Sequence, residues 1–121
     1  MKFPKKILII DDDKSTVEIV MLILKNSGYE VSAESDGALS FLSGNTLPDI
    51  IILDNYLGME DGTEICRQLK LHEKTSHIPI VMISATPGIE DMAVQAGADG
   101  YIPKPFSIQQ LLQAIEKHSL S

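Results

Sequence analysis

The 121-residue chain is 44% hydrophobic and 22% charged, the composition of a soluble globular protein, which predicts one domain over residues 1–121. With a net charge of −7, the sequence has no cluster of basic residues that would bind nucleic acid or an anionic membrane. Its single cysteine excludes an internal disulfide. The apolar runs also fall far short of the ~20 residues that are needed to cross a bilayer. From the charge and from these short runs, we expect a cytoplasmic protein that contacts neither nucleic acid nor a membrane directly.

In the first half of the chain, short apolar runs alternate with amphipathic stretches. Strands are predicted at residues 7–10, 31–34 and 50–53. After the first strand, Ser15 with Glu18 forms a capping box for a helix that Gly28 ends. A shorter helix fits around residues 38–42, so that strands and helices alternate.

The second half continues the same alternation. Strands are predicted at residues 80–83 and 100–102. Asp61 opens one helix, Thr86 followed by Pro87 caps a second that Gly97 ends, and Ser107 caps the last. Five strands and five helices in strict alternation predict an α/β fold, a doubly wound parallel sheet in the order 2-1-3-4-5.

Polar residues follow the predicted strands, at the sheet edge where doubly wound folds bind ligands. These residues, in strand order, are Asp11, Asp12 and Asp13, then Asp54, then Ser84, then Lys104. Converging carboxylates need a counter-charge, and oxygen ligands without Cys or His favour a hard cation, Mg²⁺ with Mn²⁺ as the alternative. A metal, a hydroxyl, an ammonium group and a nucleophilic carboxylate together suit phosphoryl transfer.

The sequence resembles the response-regulator receiver domains of two-component signalling along essentially its whole length. The motifs are Ile10-Asp11-Asp12, Asp54 with Asp61-Gly62, Ser84-Ala85, Gly97-Ala98-Asp99, and Tyr101 through Lys104-Pro105-Phe106. The resemblance implies a flavodoxin-like phosphoacceptor domain that is not a turnover enzyme. Its implied partners are a histidine kinase or histidine phosphotransfer protein and a downstream protein target.

By this resemblance, the phosphoacceptor is Asp54. Asp12 would bind Mg²⁺ directly, Asp11 mainly through water, and the backbone carbonyl of Tyr56 would complete the metal site. The Lys104 ammonium and the Ser84 hydroxyl would together bind the phosphoryl group. A cis peptide bond between Lys104 and Pro105 is also implied.

The resemblance also implies which residues would change conformation on phosphorylation and which would set the lifetime of the aspartyl phosphate. Ser84 and the aromatic Tyr101 would move on phosphorylation and change the surface of the fourth predicted helix, the fifth strand and the fifth helix. Tyr56 and Thr86 would flank the path of the hydrolytic water. Because neither can act as a strong base and the Tyr56 ring can shield the phosphoryl group, we expect slow autodephosphorylation.

Two departures from the family pattern, and two alternatives, remain at this point. Gly58 stands where the family usually has proline, which predicts a more mobile loop, and Pro103 requires an edge strand. A small haloacid-dehalogenase-like phosphatase would use Asp11 as nucleophile and Asp13 as general acid. The other alternative is a non-phosphorylated protein-binding module on the same fold.

Overall fold

The protein is an open parallel sheet with helices on both faces, described by a computed structural model over residues 5–34, 47–57 and 60–119. The sheet strands are β1 (Lys6–Ile10), β2 (Glu30–Glu34), β3 (Ile50–Asp54), β4 (Ile80–Ser84) and β5 (Gly100–Pro103). The helices are α1 (Lys14–Asn26), α2 (Gly62–Leu71), α3 (Ile89–Ala96) and α4 (Ile108–Ser119). None of the helices in these ranges is long and apolar enough to span a membrane.

The strand order β2-β1-β3-β4-β5, with every neighbouring pair parallel, confirms the predicted topology. Four of the five predicted helices are present in the described part of the chain. The short helix predicted around residues 38–42 lies outside the described residues. A two-residue antiparallel pair, Tyr56–Leu57 with Glu60–Asp61, was not predicted.

The core has two layers, one on each face of the sheet. Along β3, Ile51 and Leu53 pack with α2 and α3, whereas Ile50 and Ile52 pack with α1 and α4. Every residue of β3 is buried, and the same is true of β4. Burial on both faces explains why these strands appear in the sequence as continuous apolar runs rather than as alternating ones.

Two predicted helix starts were wrong. Helix α1 is capped by Asp13, which accepts hydrogen bonds from Ser15 N at 3.1 Å and Thr16 Oγ1 at 2.9 Å. Helix α3 has Gly88 as its N-cap, in the left-handed region at φ 82°, with no side-chain cap among the described residues. Thr86 lies before this cap, and its N–H donates to the preceding Ser84 Oγ at 2.9 Å. At α1 an acceptor two residues earlier replaces the predicted one, whereas α3 begins two residues after the predicted cap, at a glycine.

The remaining helix ends are confirmed. Asp61 caps α2 by accepting from Thr63 N at 2.9 Å, and Ser107 exchanges backbone-to-side-chain bonds with Gln110 at 3.0 and 2.8 Å. Gly28 and Gly97 follow α1 and α3 with φ values of 95° and 87°, a conformation that L side chains rarely adopt. These signals were reliable because the residues act within one turn of the chain.

Strand β5 is an edge strand, since it pairs only with β4 in the sheet. Its Pro103 lies opposite Ser84 and has no N–H to offer, which is tolerated on an outer strand. The ladder continues one residue later, where Lys104 N donates to Ser84 O at 2.9 Å. The proline therefore leaves the fifth strand connected to the sheet up to the lysine.

Candidate phosphoacceptor and metal site

The predicted acidic residues meet at the carboxyl ends of the two central strands. Asp11 and Asp12 follow β1, and Asp54 is the last residue of β3. One carboxylate oxygen from each lies within 4.8 Å of the others. Asp11 and Asp54 are buried and Asp12 is exposed, so the cluster opens to solvent on one side only.

Asp11 is held in place by the chain that follows it. Its Oδ1 accepts a hydrogen bond from Asp13 N at 2.9 Å. Its Oδ2 is buried and has no hydrogen-bond partner in the described part of the molecule. Burial is the main reason that the pKa of Asp11 is raised above its ordinary value. A buried carboxylate oxygen without a donor is the atom to which a cation would bind.

The environment of Asp54 raises its pKa to about 6. Burial is the largest cause, and the neighbouring negative charge of Asp11 adds to it, whereas the ammonium of Lys104 acts in the opposite direction. Lys104 Nζ lies 3.7 Å from Asp54 Oδ1 and 3.9 Å from Asp11 Oδ2. One lysine facing two buried carboxylates leaves the site with an excess of negative charge.

Ser84 occupies the same edge at the end of β4. It is 2% exposed, and its Oγ accepts the Thr86 N–H at 2.9 Å, so its own hydroxyl hydrogen can be donated elsewhere. The structure also has the implied cis peptide bond between Lys104 and Pro105. Ser84 is thus the last residue of β4, and Lys104 directly follows the adjacent strand β5 and faces the acidic cluster.

The loop after Asp54 is tied to the sheet by main-chain contacts. Gly62 N donates to Asn55 O at 2.7 Å, and the backbone of Tyr56 pairs with that of Asp61. A Cβ on Gly62 would collide with the carbonyl of Asp54, so this close approach requires glycine. The Tyr56 side chain and Gly58 lie outside the described residues, so the expected loop mobility stays a prediction.

Asp13 is separate from the acidic cluster. Its two carboxylate oxygens cap α1 by accepting from Ser15 N and Thr16 Oγ1, and this hydrogen bonding lowers its pKa. A general acid needs a raised pKa in order to hold its proton near neutral pH. The phosphatase alternative, in which Asp13 would be that acid, is therefore not supported.

The donor set fits a magnesium ion. Three carboxylates offer hard oxygen ligands, one of those oxygens is orphaned, and the exposed side leaves room for water ligands. Asp11, Asp12 and Asp54 would hold the ion, as the sequence predicts. The part that the Tyr56 carbonyl would play at this site stays a prediction.

Two polar features of this region were missed in the sequence. Asn55 is 1% exposed, and its Oδ1 has no hydrogen-bond partner among the residues described. Hydrogen bonding with the Glu90 carboxylate of α3 raises the pKa of Tyr101. The position of Asn55, two residues after the predicted strand 50–53 and next to Asp54, was the available signal. No local pattern joins Glu90 to Tyr101, because the contact depends on how α3 lies against β5.

The sequence matches the family described as response regulator receiver domain over residues 7–116. The chain belongs to this family. It is therefore a phosphoacceptor signalling domain of the two-component type. Neither predicted alternative, the haloacid-dehalogenase-like phosphatase or the non-phosphorylated protein-binding module, is supported.

Relatives of this receiver include longer regulators and isolated domains. It is 36% identical over 113 residues to the DNA-binding dual master transcriptional regulator RpaA of Synechocystis sp., a match covering 91% of this chain and 47% of that protein. The chain thus spans about half the length of such relatives. Because that relative is named as DNA-binding, the prediction that this chain contacts no nucleic acid is not confirmed.

Two solved structures share the receiver's fold. A CheY-like receiver domain protein from Methanospirillum hungatei is 29% identical, with a TM-score of 0.84 and coverage of 96% of this chain and 94% of that one. The receiver domain of the sensor histidine kinase PA1611 from Pseudomonas aeruginosa is 26% identical, with a TM-score of 0.85 and coverage of 98% and 99%. The second has magnesium coordinated in its active-site cleft.

Proposed function

We propose that this receiver accepts a phosphoryl group on Asp54 from a histidine kinase or a histidine phosphotransfer protein, in the cytoplasm. The single observation that carries the assignment is the place of Asp54, at the end of a central strand, facing both the Asp11 carboxylate and the Lys104 ammonium. Asp12 is exposed and Asp13 is used as a helix cap, and between the two buried carboxylates the family resemblance assigns the phosphoryl group to Asp54 rather than to Asp11.

In the proposed step, a carboxylate oxygen of Asp54 attacks the phosphorus of a phosphohistidine. A P–O bond forms while the P–N bond breaks, and the imidazole nitrogen keeps the bonding electrons and takes up a proton. Lys104 and Ser84 would bind phosphoryl oxygens by charge and by hydrogen bond. A bound Mg²⁺ would supply the further positive charge that phosphoryl transfer requires.

The product is a signal rather than a released compound, so the protein is not a turnover enzyme. Ser84 would be drawn toward the phosphoryl group, and Tyr101 would rotate into the space left beside it. These movements would alter the surface formed by α3, β5 and α4, which is the fourth helix, fifth strand and fifth helix of the sequence prediction. A downstream protein target would bind that surface in one state only.

The lifetime of the adduct would depend on Tyr56 and Thr86. Thr86 is half-buried and its backbone N–H is bound to Ser84 Oγ, so its main chain lies next to the hydroxyl that would bind the phosphoryl group. Neither residue carries a base that could activate water. We therefore propose a long-lived aspartyl phosphate in which access of water limits hydrolysis.

Mass spectrometry after treatment with acetyl phosphate tests the assignment. We expect one added phosphoryl group in the wild type with Mg²⁺, none after chelation of the metal, and none in Asp54→Asn. Asp91→Asn is the control, because it removes an exposed carboxylate of α3 that is not one of the three in the acidic cluster. Labelling that persists in Asp54→Asn at another aspartate of the site would overturn the assignment.

A further inference from the structure

An apolar pocket with a volume of about 450 Å³ opens beside Lys104. Its lining comes from α1, from Ala85 directly after β4, and from residues 104–106 between β5 and α4. Pockets that hold small molecules have volumes of about 300–1,000 Å³. The pocket is therefore large enough for a small ligand.

Lys104 belongs both to this pocket and to the acidic site. Its Nζ lies 3.7 Å from Asp54 Oδ1 and 3.9 Å from Asp11 Oδ2, and the same side chain contributes to the pocket lining. The pocket and the acidic cluster are thus adjacent, with Lys104 bordering both. A small molecule with a phosphoryl group against Lys104 would have the rest of its structure within reach of the pocket.

Apart from that ammonium, the lining is hydrophobic in character. Ile19 of α1 and the ring of Phe106 supply apolar surface, and Ile19 is 58% exposed, so a ligand would cover it. The Thr16 hydroxyl, which also belongs to the lining, is already donated to Asp13 Oδ2 at 2.9 Å. Among the described lining residues only Lys104 is charged. The pocket therefore suits a ligand with one anionic end and a short hydrocarbon end.

We propose that this pocket receives the hydrocarbon chain of an acyl phosphate, so that acyl phosphates of three or four carbons donate their phosphoryl group faster than acetyl phosphate does. This inference rests on the proposed function of Asp54 and names a class of small-molecule donor for it. An acyl phosphate has both of the required parts. Its phosphoryl group carries the negative charge that Lys104 attracts, and its longer members have an apolar chain.

The transfer balances without any further reactant. A carboxylate oxygen of Asp54 attacks the phosphorus, a P–O bond forms, and the bond between the phosphorus and the acyl oxygen breaks. The acyl oxygen keeps the bonding electrons and leaves as a carboxylate, so no proton has to move. Covering the chain stabilises the bound donor and the transition state alike, which raises the rate at low donor concentration.

A series of donors tests the inference in the wild-type protein. Acetyl, propionyl and butyryl phosphate would be supplied at equal concentrations, below saturation and with saturating Mg²⁺, and the added phosphoryl group followed by mass spectrometry. The carboxylic acids released differ little in acidity, so the chain is the main difference between the donors. Burial of each methylene should raise the rate about two- to fourfold, which makes butyryl phosphate roughly four- to sixteenfold faster than acetyl phosphate.

A variant that fills the pocket should remove this preference. In Ile19→Trp the ratio of the butyryl phosphate rate to the acetyl phosphate rate should fall to about one. Leu22→Trp is the matched control, because Leu22 is 62% exposed one turn later on α1 and is not among the lining residues. Its ratio should equal that of the wild type. Each ratio is taken within one variant, so an effect on folding or on metal binding that slows both donors equally cancels.

Binding without phosphoryl transfer gives a separate readout. Methylphosphonate and butylphosphonate carry a similar anion but cannot transfer it, and their binding would be followed by NMR in saturating Mg²⁺. Butylphosphonate should bind at least about fourfold more tightly than methylphosphonate and shift the methyl signals of Val20, which also lines the pocket. The difference in affinity should disappear in Ile19→Trp and persist in Leu22→Trp.

Two results would overturn the inference and leave the proposed function standing. One is an equal rate of labelling of Asp54 by all three donors, which would leave the pocket to a side chain of the protein that donates the phosphoryl group. The other is a preference for butyryl phosphate that is the same in Ile19→Trp and Leu22→Trp. A protein that no donor phosphorylates, but that binds butylphosphonate more tightly than methylphosphonate, would refute the proposed function and leave the chain-binding pocket standing.

Discussion

Lys104 Nζ lies 3.7 Å from Asp54 Oδ1, close enough to act on its charge but longer than a charge-assisted hydrogen bond. The same nitrogen is 3.9 Å from Asp11 Oδ2, and the lysine side chain is 23% exposed. The two carboxylates are therefore only partly neutralised, and the pKa of each stays above its ordinary value. This partial neutralisation should favour the binding of a metal cation in addition to the Lys104 ammonium, and it leads to the first three predictions.

Magnesium binding should depend on pH around the pKa of Asp54. Since this pKa is raised to about 6 in the metal-free protein, a proton competes with the metal below that pH. We expect an apparent Mg²⁺ affinity roughly tenfold weaker at pH 5 than at pH 7.5, measured by calorimetry. Asp54→Asn should bind weakly at both values and lose most of this dependence. An affinity that is the same at both pH values in the wild type would contradict the prediction.

Asp54→Asn should stabilise the metal-free protein at neutral pH. The folded-state pKa of about 6 lies above the ordinary value of 3.8, so the carboxyl favours folding below pH 3.8, and this contribution is lost as the pH rises through about 6. Removing the charge should therefore add about 1–2 kcal/mol to the free energy of unfolding at pH 7.5, measured in urea. The gain should shrink at pH 4 and in Mg²⁺, and Asp91→Asn should show no such gain.

Lys104→Met should affect metal and phosphoryl binding in opposite directions. Loss of the ammonium should raise the pKa of Asp54 further and, above that pKa, strengthen Mg²⁺ binding several-fold, because one competing positive charge is gone. Phosphorylation by acetyl phosphate should become slower by at least about tenfold, because a phosphoryl oxygen loses its cation. Lys25→Met, at the far end of α1, should change neither quantity. Equal losses in both assays would indicate a general distortion instead.

Gly62→Ala should destabilise the fold by more than about 2 kcal/mol. Its added Cβ would collide with Asp54 O and lie 2.8 Å from Asn55 Cα, and both of these atoms are backbone that cannot rotate away. Gly88→Ala is the comparison, since no atom of the described residues lies within 4 Å of a Cβ there and its cost is only that of the positive φ, about 1 kcal/mol. Urea unfolding measures both. A Gly62→Ala cost no larger than that of Gly88→Ala would refute the close approach.

Tyr56→Asn should shorten the lifetime of the aspartyl phosphate. A bulky ring two residues after the phosphoacceptor can exclude the in-line water, whereas an amide can orient it. After phosphorylation and removal of the donor, we expect loss of the adduct to be several-fold faster in Tyr56→Asn, followed by mass spectrometry in saturating Mg²⁺. Tyr56→Phe retains the ring and should decay like the wild type. Unchanged decay in Tyr56→Asn would rule out the shielding role.

The sheet and the acidic site could be predicted from sequence because topology places them. Strands β3 and β4 are buried on both faces, which leaves an unbroken apolar run in each. In a parallel sheet, residues that follow the strands must share one edge. Asp11 and Asp54 could be brought together on that basis alone, without knowledge of any side-chain orientation.

Features that depend on competition between nearby groups could not be predicted. Asp13 and Ser15 are both good capping residues, and the hydrogen bond from Asp13 N to Asp11 Oδ1 accompanies the turn in which Asp13 is the cap. Thr86 was expected to cap α3, but the cap is Gly88, two residues later, in the left-handed region. In both places the path of the backbone, which local residue preferences do not specify, sets where the helix begins.

Asp54, the proposed phosphoacceptor, ends β3 in the middle of the sheet, where β3 is bonded to β1 on one side and to β4 on the other. The amide hydrogens around Asp54 should accordingly exchange with solvent as slowly as those of the core, whereas Thr86 and Lys104 stand beside exposed loop residues. Phosphorylation would thus occur on a rigid central strand, whereas the resulting change in structure would occur in the loops beside it. Replacing these loops with those of another receiver should therefore change the lifetime of the aspartyl phosphate and the binding of partners, while the geometry around Asp54 is retained.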